Sequence, residues 1–187
     1  MKRVLALLCA VAMFGFIFNP SYVNASTVNP KTLLEKKFPR ERVTVSKSVD
    51  LNGDNKKEHL LITESGNFYL INSKGVIVLI KENIISDDEL DSPDIHIYQV
   101  SKKEKHVAVT FNYFPSNTQL DAYNYKDGTL KKKLSIMGDQ GVKILKNGVI
   151  KQYWKNFYPE GGWKLAIATY TWSNTKNKYV GSGELPR

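Results

Sequence analysis

The chain has 187 residues and carries 27 basic and 18 acidic side chains, which gives a formal charge of +9 at neutral pH. Its single cysteine, Cys9, excludes a disulfide framework. The length is that of one domain with a hydrophobic core of its own. The positive charge favours anionic surroundings such as cell-wall polymers, lipid head groups or nucleic acid, but the lysines are scattered, as they also are on an ordinary solvated surface.

The first 25 residues predict a secretory signal peptide. Lys2 and Arg3 precede an uncharged apolar stretch, residues 4–18, and polar and small residues follow up to Ala25. The apolar stretch is shorter than the roughly 20 residues that a membrane-spanning helix needs. Cleavage after Ala25 would release a secreted protein of 162 residues with a charge of +7. Cys9 would leave with the signal, so thiol catalysis is excluded as well.

Residues 26–42 are predicted to form a lead segment and one short helix. Pro30 suits a first helical turn, and the apolar residues between positions 33 and 38 have helical spacing. Pro39 then ends the helix. We therefore expect a helix over residues 31–37.

From residue 43 to residue 187 the sequence predicts a single all-β domain. Short runs of β-branched and aromatic residues alternate with Gly, Asn and Asp. Segments 73–75, 126–128 and 146–148 each end in Gly and suit tight hairpins, which predicts an antiparallel meander. The predicted strands are 43–49, 59–63, 67–72, 76–81, 95–100, 106–113, 118–125, 129–136, 142–145, 149–157, 163–172 and 178–181.

A weak internal repeat divides this meander into units. Lys-Lys-Glu-His at 56–59, followed by Leu-Leu-Ile, recurs 46 residues later as Lys-Lys-Glu-Lys-His at 102–106, followed by Val-Ala-Val. This period is typical of four-stranded propeller blades, so we expect about three blade-like units. Three units are fewer than the roughly four to eight blades that close a propeller. A β-sandwich or barrel is therefore the alternative.

The segment "DLNGDNKKE", residues 50–58, has the pattern of a calcium-binding loop. Calcium is bound by six to eight oxygens, and Asp50, Asn52 and Asp54 offer side-chain oxygens at alternate positions. Lys56 would offer its backbone carbonyl while its side chain stays in solvent, and Glu58 would add a carboxylate. The alternative is that these residues only make Asx-type turns between two strands.

The same pattern, Asp-x-Asn-Gly-Asp-x-x-x-Glu before apolar strand residues, resembles the calcium loop of FG-GAP and VCBS-type repeats, which occur in β-propellers of integrin α-chains and in many secreted bacterial proteins. The resemblance implies one structural calcium ion bound by the five residues just named. The family favours Gly at the position of Asn55 and Asp at that of Glu58. An EF-hand is excluded, because Leu61 stands where the bidentate Glu belongs.

An aromatic segment at 153–163, Tyr-Trp-Lys-Asn-Phe-Tyr-Pro-Glu-Gly-Gly-Trp, is the most suggestive surface feature. It reads as a strand, a loop and a strand, and aromatic groups at such a tip stack on sugar rings or fill a partner's pockets. We predict Trp154, Tyr158 and Trp163 as binding residues. The alternative is that they fill the core.

The sequence contains no Ser-centred elbow, no phosphate-binding Gly loop and no metal-binding His motif. His59, His96 and His106 lie inside predicted strands, where packing is their usual role. The chemistry therefore predicts a secreted, non-enzymatic, calcium-stabilised interaction module that binds an anionic envelope polymer or another secreted protein. We expect no nucleic-acid partner and no integral membrane segment after signal removal. The alternative is an extracellular hydrolase that pairs a histidine with the acidic run Asp87, Asp88, Glu89, Asp91 and Asp94.

Overall fold

The computed structural model describes residues 29–86 and 93–186. Within them the chain forms one short helix and twelve strands, arranged in three four-stranded antiparallel sheets. The predicted signal peptide lies outside the described residues. The elements are α1 (Pro30–Lys37), β1 (Val43–Val49), β2 (Glu58–Thr63), β3 (Phe68–Ile71), β4 (Ile77–Lys81), β5 (Asp94–Ser101), β6 (Glu104–Tyr113), β7 (Asn117–Lys126), β8 (Thr129–Gly138), β9 (Val142–Ile144), β10 (Ile150–Phe157), β11 (Trp163–Ser173) and β12 (Lys178–Gly183).

Each sheet is built from four strands that are consecutive in the chain. The strand orders are β1-β2-β3-β4, β5-β6-β7-β8 and β12-β11-β10-β9, and every neighbouring pair is antiparallel. The predicted all-β meander of three four-stranded units is thus confirmed, and the sheets are open. At the β7–β8 turn, Asp127 and Gly128 both have positive φ angles, 54° and 75°. Two successive positive φ angles are what a tight hairpin turn of this kind requires.

The first and second sheets pack face to face around the larger core. Leu60 and Ile62 of β2 point into this core, where they meet Val107 and Val109 of β6. Leu61, between them, points to the opposite side and is equally buried. Strand β2 is therefore covered on both faces, which explains its unbroken apolar run.

The second and third sheets enclose a second core. Leu120 and Ile136 of the second sheet pack with Ile150 and Tyr179 of the third. The turn before β10 approaches the second sheet closely: a Cβ on Gly148 would lie 2.5 Å from the carbonyl oxygen of Gln99. A side chain at this position would push the two sheets apart.

Helix α1 covers the outer face of the first sheet. Its N-terminus is capped by Asn29, whose Oδ1 accepts a hydrogen bond of 3.0 Å from the backbone N–H of Lys31. Leu34 is completely buried, and Phe38 stacks on Tyr69 at 5.4 Å between ring centroids. The molecule is thus a stack in the order helix, first sheet, second sheet, third sheet. No helix in the described part of the chain is long and apolar enough to cross a membrane.

Candidate functional site

The loop at 50–58 joins β1 to β2 in the first sheet, where Val49 pairs with Glu58. Gly53 and Asn55 have φ angles of 79° and 64°. Asn tolerates this left-handed conformation better than most residues, so the loop accommodates Asn55 where the resembled pattern favours Gly. These two residues turn the chain so that the alternate polar side chains face their own backbone.

Short hydrogen bonds hold the loop. The two carboxylate oxygens of Asp50 accept from the backbone N–H groups of Gly53 at 2.7 Å and Asn55 at 3.0 Å. Oδ1 of Asn52 accepts from the N–H of Asp54 at 3.1 Å, and its Nδ2 donates to Asp54 Oδ2 at 3.1 Å. Desolvation alone would raise the pKa of Asp50, but the N–H groups outweigh it and hold the pKa below its ordinary value.

Glu58 is completely buried beneath the start of the loop. Its Oε2 accepts a hydrogen bond of 2.9 Å from the backbone N–H of Leu51, whereas Oε1 accepts no hydrogen bond of ordinary length and angle from the described residues. Burial, followed by the negative charge of Glu58 and an interaction with its side chain, raises the pKa of Tyr125 to about 12, so the Tyr125 hydroxyl lies near this carboxylate. A buried carboxylate with one weakly satisfied oxygen costs stability, so a cation would be favourable beside it.

The oxygen donors of the loop suit calcium by chemical type, but the carboxylates are not drawn together. Within residues 29–86 and 93–186, no group of three or more Asp, Glu, His or Cys side chains is arranged around a common point. Lys56 donates its N–H to Asp54 at 2.8 Å and keeps an exposed side chain. On the other side of the loop, Lys105 Nζ donates to the carbonyl of Asp50 at 2.9 Å.

The aromatic segment forms most of β10, the tip of the β10–β11 hairpin and the start of β11. Tyr158 and Trp163 are exposed, with 42% and 46% of their surface accessible. Trp154 is half-buried on the opposite face of the sheet from Trp163, and its indole N–H donates to the carbonyl of Glu184 at 2.8 Å. The structure therefore places two of the three predicted binding residues together at the hairpin tip and separates the third from them.

Trp163 belongs to a larger exposed surface, the outer face of the third sheet. Along β11 the side chains of Ala166 and Ala168 are buried, whereas Leu165 and Ile167 point outward and are exposed. We call this surface the open face. Its apolar members are Tyr153, Phe157, Trp163, Leu165, Ile167 and Val180, and its lysines are Lys143, Lys151, Lys155 and Lys178.

Of the acidic run, Asp94 is the only member that the structure describes; the other four lie outside the described residues. His96 Nδ1 lies 3.7 Å from Asp94 Oδ2, and Nε2 lies 2.8 Å from Thr110 Oγ1. Burial would raise the pKa of Asp94, but Lys47, at 2.9 Å, contributes most to lowering it below its ordinary value. Burial lowers the pKa of His96. This arrangement holds an ionised carboxylate beside a neutral imidazole.

Two buried polar groups have partners that were not predicted from the sequence. Asp121 of β7 is completely buried and forms an ion pair with Lys81 of β4, which ties the second sheet to the first. His106 of β6 is also buried; its Nδ1 lies 2.8 Å from the hydroxyl of Tyr179 and its Nε2 lies 3.0 Å from Glu104 Oε1. The partners that join different sheets, Lys81 for Asp121 and Tyr179 for His106, are 40 and 73 residues away in the chain and leave no local sequence signal.

Comparison of the chain with protein-family models, curated proteins and solved structures found no match. The resemblance to FG-GAP and VCBS-type repeats therefore rests on the loop at 50–58 alone.

Proposed function

We propose that this chain is an exported, non-enzymatic binding module whose first sheet is stabilised by calcium and whose partner is an anionic polymer of the cell envelope or another secreted protein. The open face is the observation that carries this proposal. It presents large apolar side chains and lysines together on one flat surface, and such patches are typical of interaction sites. Export follows from the predicted signal peptide, whose residues lie outside the described structure.

The calcium part of the proposal rests on the loop at 50–58. Asp50, Asn52 and Asp54 lie on the turn with the alternate spacing that calcium loops use, and Glu58 has a buried oxygen that accepts no hydrogen bond of ordinary geometry. Calcium would bring the three acidic side chains closer together and would neutralise the buried carboxylate. Its role would be structural, because the loop closes a hairpin and faces no nucleophile.

The binding part is tested by sedimenting the purified mature protein with its own cell envelope over a range of salt concentrations. We expect binding to fall as salt rises, because charges at a surface are screened over about 8 Å at physiological ionic strength. A variant with Lys151→Glu and Lys155→Glu should bind much less. The matched control, Lys126→Glu with Lys131→Glu, changes the net charge equally at exposed positions of the second sheet and should bind better than that variant. Absence of binding at low salt would contradict the proposal.

Melting temperatures in calcium and in excess chelator test the calcium site. With free calcium at roughly ten times the dissociation constant, the native state gains about 1.4 kcal/mol. For a domain of this size, such a gain raises the melting temperature by roughly 3 to 6 °C. Asp50→Ala should abolish the shift, and magnesium should substitute poorly because it demands a tighter octahedral shell.

Glu58→Gln makes the calcium test sharper. The variant keeps an acceptor for the N–H of Leu51 and removes the buried charge, so in chelator it should be at least as stable as the wild type. In calcium it should be less stable than the wild type, because one ligand charge is missing. Equal melting temperatures of the wild type in calcium and in chelator would mean that the loop is only a polar turn.

The second candidate, an extracellular hydrolase, is favoured by the contacts of His96 with Asp94 and Thr110. The Lys47 ammonium group neutralises Asp94, however, and the lowered pKa of Asp94 is the opposite of what a general acid needs. Hydrolysis of simple esters that is lost in His96→Gln would support this candidate over the binding module.

A further inference from the structure

We infer that the open face docks onto an anionic phospholipid surface. This inference rests on the proposed function in one respect, an exported module that binds the envelope through this face, and gives the module a lipid surface as its partner in place of a polymer or a protein. Helix α1 covers the outer face of the first sheet, but nothing within the described residues covers the outer face of the third.

The apolar side chains of the open face are unusually accessible. Phe157 is 65% exposed and Leu165 50%, and Trp163 stands directly opposite Phe157 in the strand register. On the same side, Leu165 with Lys155 forms the next pair and Ile167 with Tyr153 the pair after it, so apolar side chains continue along β11. Single exposed apolar residues are ordinary, but a contiguous row on a sheet face indicates a surface that is covered when the protein works.

The positive charge of the open face indicates the charge of the partner that covers it. Its four lysines lie on β9, β10 and β12, and none of the strand residues that share this face in the register is Asp or Glu. The Asp139 carboxylate lies at the edge of β10, where it accepts a hydrogen bond of 2.9 Å from the backbone N–H of Lys155. Lys143 and Lys151 stand opposite each other across two strands. A second copy docked face to face would bring lysines against lysines, which opposes self-association. The occupant is therefore anionic.

Lysines and apolar side chains alternate on the open face, and this mixture favours a lipid surface as the partner over a protein or a polymer. Lys155 stands opposite Leu165, and its Nζ lies 5.3 Å from the ring centroid of Trp163. The centres of protein interfaces are depleted in lysine, and a hydrophilic polymer offers no apolar phase for Leu165. A bilayer surface offers anionic phosphates for the lysines and an apolar phase for Leu165. The lysine stems lie along the apolar region while their ammonium groups reach the phosphates, and the apolar side chains beside them enter the boundary between head groups and acyl chains.

The hairpin tip sets the orientation. Phe157, Tyr158 and Trp163 lie at the end of the β10–β11 hairpin, and Lys151 lies farther back along β10. Aromatic side chains favour the membrane–water interface, so the tip enters deepest and the lysines follow at the level of the head groups. Glu160, in the tip loop, limits the depth of insertion.

Flotation of the mature protein with lipid vesicles tests the inference. Vesicles with about one third phosphatidylglycerol in phosphatidylcholine should bind at least about tenfold more protein at low salt than pure phosphatidylcholine vesicles. Leu165→Asp, and separately Lys151→Glu with Lys155→Glu, should each lose most of this binding. The control Lys126→Glu with Lys131→Glu should keep most of it. Unchanged melting temperatures would show that the variants are folded.

Tryptophan fluorescence locates the contact. Binding to anionic vesicles should shift the emission of the wild type to shorter wavelength, and Trp163→Phe should remove that shift while Trp172→Phe keeps it. Equal binding of the wild type to both kinds of vesicle would overturn the inference. So would a loss of vesicle binding in the control, Lys126→Glu with Lys131→Glu, as large as that in Lys151→Glu with Lys155→Glu.

Further outcomes separate this inference from the proposed function. Binding of a soluble polyglycerol phosphate, or of the cell envelope after lipid extraction, without binding to anionic vesicles would overturn the lipid assignment and leave the proposed function standing. A dimer in solution that Leu165→Asp dissociates would make the open face an interface between copies and would also overturn it. Failure to bind vesicles, polymer or envelope would overturn both.

Discussion

The two ends of the stack face solvent in opposite ways. At one end, Leu34 of α1 is completely buried against the first sheet, and Phe38 stacks on Tyr69. At the other end, Leu165 and Trp163 of the third sheet are about half exposed. Both sheets present apolar side chains outward, but within residues 29–86 and 93–186 only the first is covered by another element.

The difference shows what a short helix does in a protein built from stacked sheets. Repeated layers bury their faces against each other, and the terminal faces need either a polar surface or a cap. Helix α1, eight residues long, supplies that cap for the first sheet. No described element caps the third sheet, and apolar side chains lie among the lysines of its outer face.

Truncating one leucine at each end is the most forceful test of this contrast. Leu34→Ala should destabilise the protein by about 2 to 5 kcal/mol, because it leaves a cavity in a completely buried site. Leu165→Ala should change stability by no more than about 0.5 kcal/mol, because its side chain is half exposed already. Urea unfolding of both variants measures the difference. Similar losses would mean that the open face is covered in the free protein.

Acid should weaken the contact between the second and third sheets. Burial lowers the pKa of His106 below its ordinary value, and the hydrogen bond that its Nε2 donates to Glu104 only partly offsets this. The unfolded chain therefore takes up a proton before the folded chain does. Stability is complete above the unfolded pKa of about 6.5 and decreases as the pH falls below it. Melting temperatures between about pH 7.5 and about pH 5.5 report this loss.

His106→Gln identifies the source of the acid sensitivity. The groups that face this imidazole are Glu104, Tyr98, Trp172 and Tyr179, and Lys133 adds a positive charge nearby. The variant is expected to be less stable at every pH but to lose less stability between neutral and acidic pH. His59→Gln serves as the control, because burial lowers the pKa of His59 too. If His59→Gln reduces the pH dependence of the melting temperature and His106→Gln does not, His106 is not responsible.

The smallest effect is expected from two matched cation–π contacts. Lys37 Nζ lies 5.4 Å from the ring centroid of Phe38 at the covered end, and Lys155 Nζ lies 5.3 Å from that of Trp163 at the open end. Each Lys→Met variant should lose no more than about 1 kcal/mol, the usual value near solvent. Thermal unfolding measures both. A larger loss for Lys155→Met would show that the open face helps to hold the fold together.

The layers could be predicted from the sequence because hairpins are local. Turn residues such as Asp127 and Gly128 and the alternation along β11 specify which strands pair and which residues share a face. Alternation does not tell which face has a cover. That depends on α1, whose docking on the first sheet joins residues far apart in the chain, such as Leu34 and Tyr69.

The candidate site divides in the same way. The spacing of Asp50, Asn52 and Asp54 is local and is visible in the sequence. The complete burial of Glu58 was not predictable, because Glu is almost always exposed and its position depends on how the second sheet packs on the first. The ion pair of Lys81 with Asp121, 40 residues apart, is non-local for the same reason.

Since every sheet consists of consecutive strands, most pairing contacts join residues that are close in sequence. Chains of this kind form their layers as semi-independent units, because each sheet makes contacts only with the sheets next to it. During synthesis, α1 and the first sheet emerge before the others, so the face that needs a cap is capped early. The open face belongs to the last of the three sheets in the chain, so its apolar row becomes exposed to other molecules only after the first two sheets have emerged.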